Sequence, residues 1–293
     1  MYDRAQLAAL SAVVDTGSFE SAARELHLTP SAVSQRVRSL ENVAGAVLVR
    51  RTRPCVATSA GEHLVRLARQ VAELEADTEA VLHQRDVHAT LPLAANADSV
   101  STWFVEALRV AGAEAGTAYD VRVDDENHTA ALLRAGAVMA AVTTAGEAVQ
   151  GCRSVPIGSL RYRAVAAPGL GITDTRSLAA APRARFHASD EIPARLVAKA
   201  TSRALTGAVH TVSAGDGYLA AIRAGLGWGA IPELLAAEHL DSGALVEVAG
   251  GRHLDVPLHW QHWRIASAPL TTLTEAVVAT SRTHLVRSRR PRA

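Results

Sequence analysis

Residues 16–53, TGSFESAARELHLTPSAVSQRVRSLENVAGAVLVRRTR, decide how the rest of the chain is read. Ser18 suits an N-cap, because its hydroxyl can accept from an otherwise unpaired amide one turn later. Phe19, Ala22, Ala23 and Leu26 recur at helical spacing and make one apolar face. His27 and Leu28 leave that helix. Thr29 caps a second one, with Pro30 at its first position, where the missing amide costs nothing. Val33, Val37 and Leu40 form the stripe this helix buries, and Ser31, Ser34, Gln35, Arg36 and Arg38 lie off it. Two short helices and a tight turn match helix-turn-helix patterning, in which the second helix enters the major groove. Gln and Arg can bond base edges in a bidentate way, and Ser can address bases or phosphates. A helical hairpin with a merely polar exterior would share this spacing.

The arginines separate the two readings. Arg50, Arg51 and Arg53 follow the apolar run Val47-Leu48-Val49 and precede Pro54, as in a short wing that grips phosphates. From Leu28 to Ala60, arginines 36, 38, 50, 51 and 53 face the single acid Glu41, a net +4, whereas the whole chain is only +1. Positive charge is therefore concentrated where a surface for double-stranded DNA is expected.

The runs AARELHLTPSAVSQRVRSLE, LVRR and TSAGEHLV resemble the N-terminal domain of LysR-type transcriptional regulators. Two places depart from the common pattern of that family. Ala44-Gly45 stands where Leu-Gly is frequent, and Leu48-Val49 where Leu-Phe is frequent. Val-Leu-Val-Arg, with Arg-Pro-Cys soon after, is more similar to the branch that senses lysine and arginine.

A length of 293 residues predicts two or three domains, and 48% hydrophobic content is enough for real cores. Lys199 is the only lysine, a compositional bias toward arginine and alanine rather than a device. No apolar stretch is long enough to cross a bilayer. The opening MYDRAQLAAL lacks a basic region followed by an apolar core, so no secretory signal and a cytoplasmic setting are expected. Cys55 and Cys152 are then reduced thiols.

From Ser59 to about Gln84 the residues Leu64, Leu67, Val71, Leu74, Thr78 and Val81 alternate spacings of three and four, a coiled-coil seam. Such a helix runs about 25 residues, roughly 37 Å. Its stripe must pack on its own domain or on a second copy. The resemblance implies a homodimer, or a homotetramer, paired through this helix. Residues 85–90 are polar and read as a hinge.

Beyond it, strands at 91–95, 119–123 and 138–142 alternate with helices at Trp103–Leu108 and Thr129–Ala135. A second unit follows from Tyr162, with strands at 163–167, 184–187, 209–212 and 230–232 and helices at 192–205 and 217–224. This α/β alternation predicts a parallel sheet covered by helices. Gly225-Leu226-Gly227-Trp228-Gly229 ends a helix rather than opening one, which argues against a nucleotide loop. The domain division expected is 1–58 for the winged helix-turn-helix, 59–86 for the linker helix and 87–293 for an effector domain. That domain splits into lobe I (about 90–161 and 265–293) and lobe II (about 162–264). The resemblance implies a two-lobed fold of the type 2 periplasmic-binding-protein kind.

Ligands in such folds lie beyond the carboxyl ends of the strands. Ser99, Ser101 and Thr102, with Trp103 beside them, start a helix whose free amides favour a carboxylate; they also read as simple N-caps. Asp98, Asp125, Glu126, Glu147 and Asp216 would select an amine or guanidinium, and Thr143 and Thr144 end a strand in the same region. The phrases NADSVSTW, VRVDDENHTAALLRAG, AGDGYLAAIRAGLGWGAIPE and LDVPLHWQHWRI are similar to those of the lysine/arginine-responsive regulators. That resemblance implies L-lysine or L-arginine as effector, with an aromatic or other carboxylic acid as the alternative. It also implies control of amino-acid export or metabolism, with RNA polymerase as a further candidate partner.

No cofactor is expected. His259 and His262 form a His-x-x-His, but a strand would turn them to opposite faces and no third ligand is near, so no metal is expected. No Gly-x-Ser-x-Gly, phosphate loop or His-Glu-x-x-His is present, which argues against an enzyme. The tail RSRRPRA is basic and expected to add non-specific affinity for phosphates.

Overall fold

Asp3 opens the first helix, α1 (Arg4–Thr16), by accepting from Gln6 N at 3.0 Å. Ser18 caps α2 (Phe19–Glu25) and Thr29 caps α3 (Pro30–Ala44), each side chain accepting from the amide three residues on, Ser21 and Ala32. Between α2 and α3, His27 takes a left-handed φ of 53°, which lets the chain turn within Leu26–Leu28. Val33, Val37 and Leu40 are fully buried against Leu7, Leu10, Val13 and Ala22. A two-stranded antiparallel wing follows, β1 (Val49–Arg50) and β2 (Val56–Ala57). The computed structural model describes residues 1–83, 90–115, 117–124, 126–199 and 203–287. The expected hinge at 85–90 lies outside the described residues except for Thr90, and the basic tail lies outside them except for Arg287.

Helix α4 (Ser59–His83) springs directly from the wing. Thr58 ties the two together: its amide donates to Leu48 O at 2.9 Å, and its hydroxyl accepts from Gly61 N at 3.1 Å. A Cβ at Gly61 would run into Leu48 O. Gly61→Ala should therefore destabilise the N-terminal domain by about 1–3 kcal/mol, measurable by urea denaturation. Along the predicted seam, Leu64 is buried in the N-terminal core and Leu67 packs against it, but Leu74 is 41% exposed. The first half of the stripe is satisfied inside the chain, and Leu74 and Thr78 beyond it are exposed.

The remaining elements are β3 (Thr90–Ala95), α5 (Ala97–Ser99), α6 (Val105–Ala115), β4 (Ala118–Val123), α7 (Glu126–Arg134), β5 (Ala140–Thr143) and β6 (Cys152–Ala166). Then come α8 (Thr175–Ala180), β7 (Arg183–Arg185), α9 (Ile192–Ala198), β8 (Val209–Thr211), α10 (Gly215–Arg223), β9 (Gly229–Pro232) and α11 (Glu233–Asp241). β10 (Val246–Glu247), β11 (His253–Trp263) and α12 (Ala268–His284) close the fold. A π-helical turn, Val100–Phe104, joins α5 to α6 where an α-helix was expected.

Three expectations need correction. The sheet is mixed, not parallel. Its order is β10-β6-β11-β5-β3-β4 with β9 also on β6; β3 pairs in parallel with β4 and β5, and every pairing of β6 and β11 is antiparallel. In the second unit β7 and β8 pair in parallel, as a separate small sheet. The second unit also has no strand starting at residue 163. β6 runs unbroken from Cys152, so one long strand, paired with β11, serves both lobes. The helix expected over 192–205 ends at Ala198. Gly225 does stop α10, with φ of 78°. The large core under both lobes is built on Trp103, Phe104, Leu133, Tyr162, Trp228, Trp260 and Trp263.

Candidate functional site

On the N-terminal domain, Ser31, Gln35 and Arg38 are exposed on α3, Ser34 and Arg36 are half-buried, and Thr29 and Pro30 are exposed at its start. Arg50, Arg51 and Arg53 are exposed on the wing. The Arg51 guanidinium sits 4.5 Å over the Phe19 ring, which holds part of the wing against α2. Among the described residues, none of Arg36, Arg38, Arg50, Arg51 and Arg53 pairs with a carboxylate. The one acid of this stretch, Glu41, turns inward and accepts from Leu48 N at 2.9 Å. It fixes the start of the wing instead of neutralising it. The surface thus offers uncompensated cations beside amide and hydroxyl groups, which is what a phosphate-lined groove requires.

The second site is a cavity of about 770 Å³ between the lobes, within the usual range for small-molecule pockets. Asn96, Asp98, Val123, Asp124 and Thr144 line it from the ends of β3, β4 and β5; Tyr162 and Val256 enter from β6 and β11. His187, Ser189, Asp190, Glu191 and Arg195 close it from the segment after β7 and from α9, with Ser213 and Tyr218 from the far side. Asn96 caps α5 through Oδ1, which aims Asp98 at the cavity. The Tyr162 hydroxyl donates to Asp98 Oδ2 at 2.6 Å. Burial pushes the Asp98 carboxyl up to about 6; the Tyr162 bond and His187 oppose this, and Asp190 adds to it. Asp190 is pinned by the amides of Phe186 and Ile192, at 3.2 and 3.0 Å. Burial also raises the Tyr218 phenol, whose oxygen accepts from Ala230 N at 3.2 Å.

Of the residues expected from sequence, Asp98 and Thr144 line this cavity. Ser99 is fully buried, and Ser101 faces solvent. Thr102 donates back to Asp98 O at 2.5 Å. Trp103 is core, 5.7 Å edge-on from Phe104. Thr143 is buried and its Oγ1 accepts from Ala145 N. Asp216 is exposed in the first turn of α10 and Glu147 is exposed, neither on the lining. Asp125 and the side chain of Glu126 lie outside the described residues. Sequence reasoning passed over Tyr162 and the run His187–Arg195. The signal was there: HASDE is a polar cluster just after a strand, the same position rule that pointed to Asp98.

Residues 5–62 match the model of the bacterial regulatory helix-turn-helix proteins of the lysR family, and residues 84–285 match that of the LysR substrate binding domain. The chain belongs to the LysR family. As a LysR-family regulator it is a DNA-binding transcription factor, and α3 and the wing lie within the residues that match the family's helix-turn-helix model. It is 41% identical over 278 residues to the lysine export transcriptional regulatory protein LysG of Corynebacterium glutamicum, covering 93% of this chain and 96% of that one. Its structure is similar to the crystal structure of ArgP from Mycobacterium tuberculosis, with a TM-score of 0.90 and 43% identity over 97% of this chain and 98% of that one. Full-length LysG of Corynebacterium glutamicum with bound effector Arg matches at a TM-score of 0.82 and 39% identity, over 97% and 99% of the two chains. None of the described helices of this LysR-family regulator is long and apolar enough to cross a membrane.

Proposed function

We propose that this regulator answers to a basic amino acid, L-arginine or L-lysine, held in the cavity between the lobes. The carrying observation is the charge of the lining: Asp98, Asp124, Asp190 and Glu191 face the same space as a single arginine, Arg195, with His187 beside them. A cationic side chain fits the carboxylates, and Arg195 suits the α-carboxylate of the same molecule. The arginine bound to LysG of Corynebacterium glutamicum supports this choice. A simple diacid would meet repulsion here. Effector binding acts on DNA only through different affinity for two arrangements of the protein.

We further propose the division 1–58, 59–86 and 87–293, with the second half of α4 pairing two copies through its exposed Leu74. Thr29, Pro30, Ser31, Ser34, Gln35, Arg36, Arg38, Arg50, Arg51 and Arg53 form the DNA contact. A cytoplasmic protein controlling amino-acid export or metabolism, acting on RNA polymerase at the promoter, is the setting that fits. Melting the protein with each of the twenty amino acids tests the effector. At a hundred times the dissociation constant, L-arginine or L-lysine raises stability by about 2.7 kcal/mol. L-glutamate leaves it unchanged. A rise with acids and none with bases would overturn the reading.

A further inference from the structure

One stretch of lobe I begins and ends at the cavity and turns back on the DNA-binding half of the molecule. It starts at Val123 and Asp124, which line the cavity, and continues as α7. It returns through β5 to Thr144, again on the lining. α7 is clamped to the core by Leu133 and Thr129, both fully buried. The turn between the two elements, Ala135–Gly136, sits on α4. Gly136 has φ of 68°, and a Cβ there would lie 2.7 Å from Arg66 Cα. Only a residue without a side chain permits this approach.

Arg69 is one turn further along α4. Its Nη1 donates to Ala135 O at 3.4 Å, while its Nη2 pairs with Asp15 on α1. Arg66 adds a bond to Gln150 O at 2.9 Å, just before β6. Glu73 accepts from the buried Ser267 hydroxyl at 3.1 Å, where α12 begins. One guanidinium thus touches the C-terminal end of α7 and the first helix of the DNA-binding domain. A carbonyl at a helix end and a carboxylate are both acceptors that this planar donor fork can hold at once.

We propose that Arg69, seated between Asp15 and the Ala135–Gly136 turn, is the positioning residue that couples occupancy of the cavity to the orientation of the winged helix-turn-helix. Closing the lobes on a ligand moves the two cavity ends of the α7–β5 unit, Asp124 and Thr144. Because the unit is packed as one body, its turn moves too, and Arg69 carries that shift to α1. The inference rests on the effector reading for its ligand, but the contact itself does not depend on which ligand binds.

The test uses the intact protein. Operator affinity is measured with and without saturating L-arginine for wild type, Arg69→Gln, Asp15→Asn and the double variant. Allosteric ratios are typically about 5–150-fold. In Arg69→Gln the ratio should fall toward one, with no further loss in the double variant, while calorimetry shows L-arginine binding retained. A wild-type ratio in Arg69→Gln would overturn the proposal. A wild type that ignores both L-arginine and L-lysine would instead sink the effector reading. The link is then judged by spin-label distances between cysteines placed at Glu20 and Arg122, both away from the junction. A distribution that broadens in Arg69→Gln supports the link, and one identical to wild type overturns it.

Discussion

Asp98→Asn is expected to weaken binding of L-arginine or L-lysine by roughly 100-fold, because truncating one partner of a desolvated charge pair costs about 2–5 kcal/mol. The substitution keeps size and shape, and Tyr162 can still donate to the remaining amide oxygen, so the fold should persist. Operator binding without effector should be unchanged. The effect is large because Asp98 is held deep at the end of β3, where water competes poorly for a cation. A calorimetric titration at pH 7.5 reads it directly, and a change below threefold would remove Asp98 from the ligand contact.

The same residue predicts a pH dependence. The free protein's Asp98 carboxyl stands at about 6, so it is mostly neutral below that pH. A cation binds the charged form, so affinity should fall by up to about tenfold per unit as pH drops below about 6 and level off above about 7. Asp98→Asn should flatten the profile. For the stability of the empty protein the sign is opposite. Between 3.8 and about 6 the folded state keeps a proton that the unfolded chain has lost, so Asp98 makes stability fall as pH rises through that window.

Arg50→Ala is expected to weaken binding to all DNA sequences nearly equally and to reduce the salt slope by about one per subunit. Arg50 is exposed on the first wing strand and has no carboxylate partner among the described residues, so its charge is free for a phosphate. Gln35→Ala should behave differently. Gln35 faces outward from the first turns of α3, and its loss should cost about 1–3 kcal/mol on the preferred operator and little elsewhere. Salt titrations on operator and random duplexes separate the two. An unchanged slope in Arg50→Ala would contradict the phosphate role.

The N-terminal half was legible because its signals are local. Ser18, Thr29 and Pro30 mark helix starts by side-chain chemistry, and Val33, Val37 and Leu40 fall at helical spacing. The fate of Glu41 was not legible: its bond to Leu48 N spans seven residues and depends on how the wing folds back. In the effector half, short strands were found by apolar runs, but their pairing was not. β6 and β11 meet across about a hundred residues, and nothing local distinguishes an antiparallel partner from a parallel one. The cavity shows the same divide. Asp98 was found from the strand-end rule, whereas Tyr162 lies mid-strand and reaches the site only because β6 crosses from one lobe to the other. Ser99 and Trp103 looked like ligand groups from spacing, and burial turned both into core.

The most direct test of the central claim is operator binding by fluorescence anisotropy, with and without L-arginine or L-lysine, for wild type and Asp98→Asn. The account predicts a shift of at least about fivefold in the wild-type dissociation constant and none in Asp98→Asn at the same effector concentration. Superimposable wild-type curves, or an equal shift in the variant, would contradict a basic amino acid acting from this cavity.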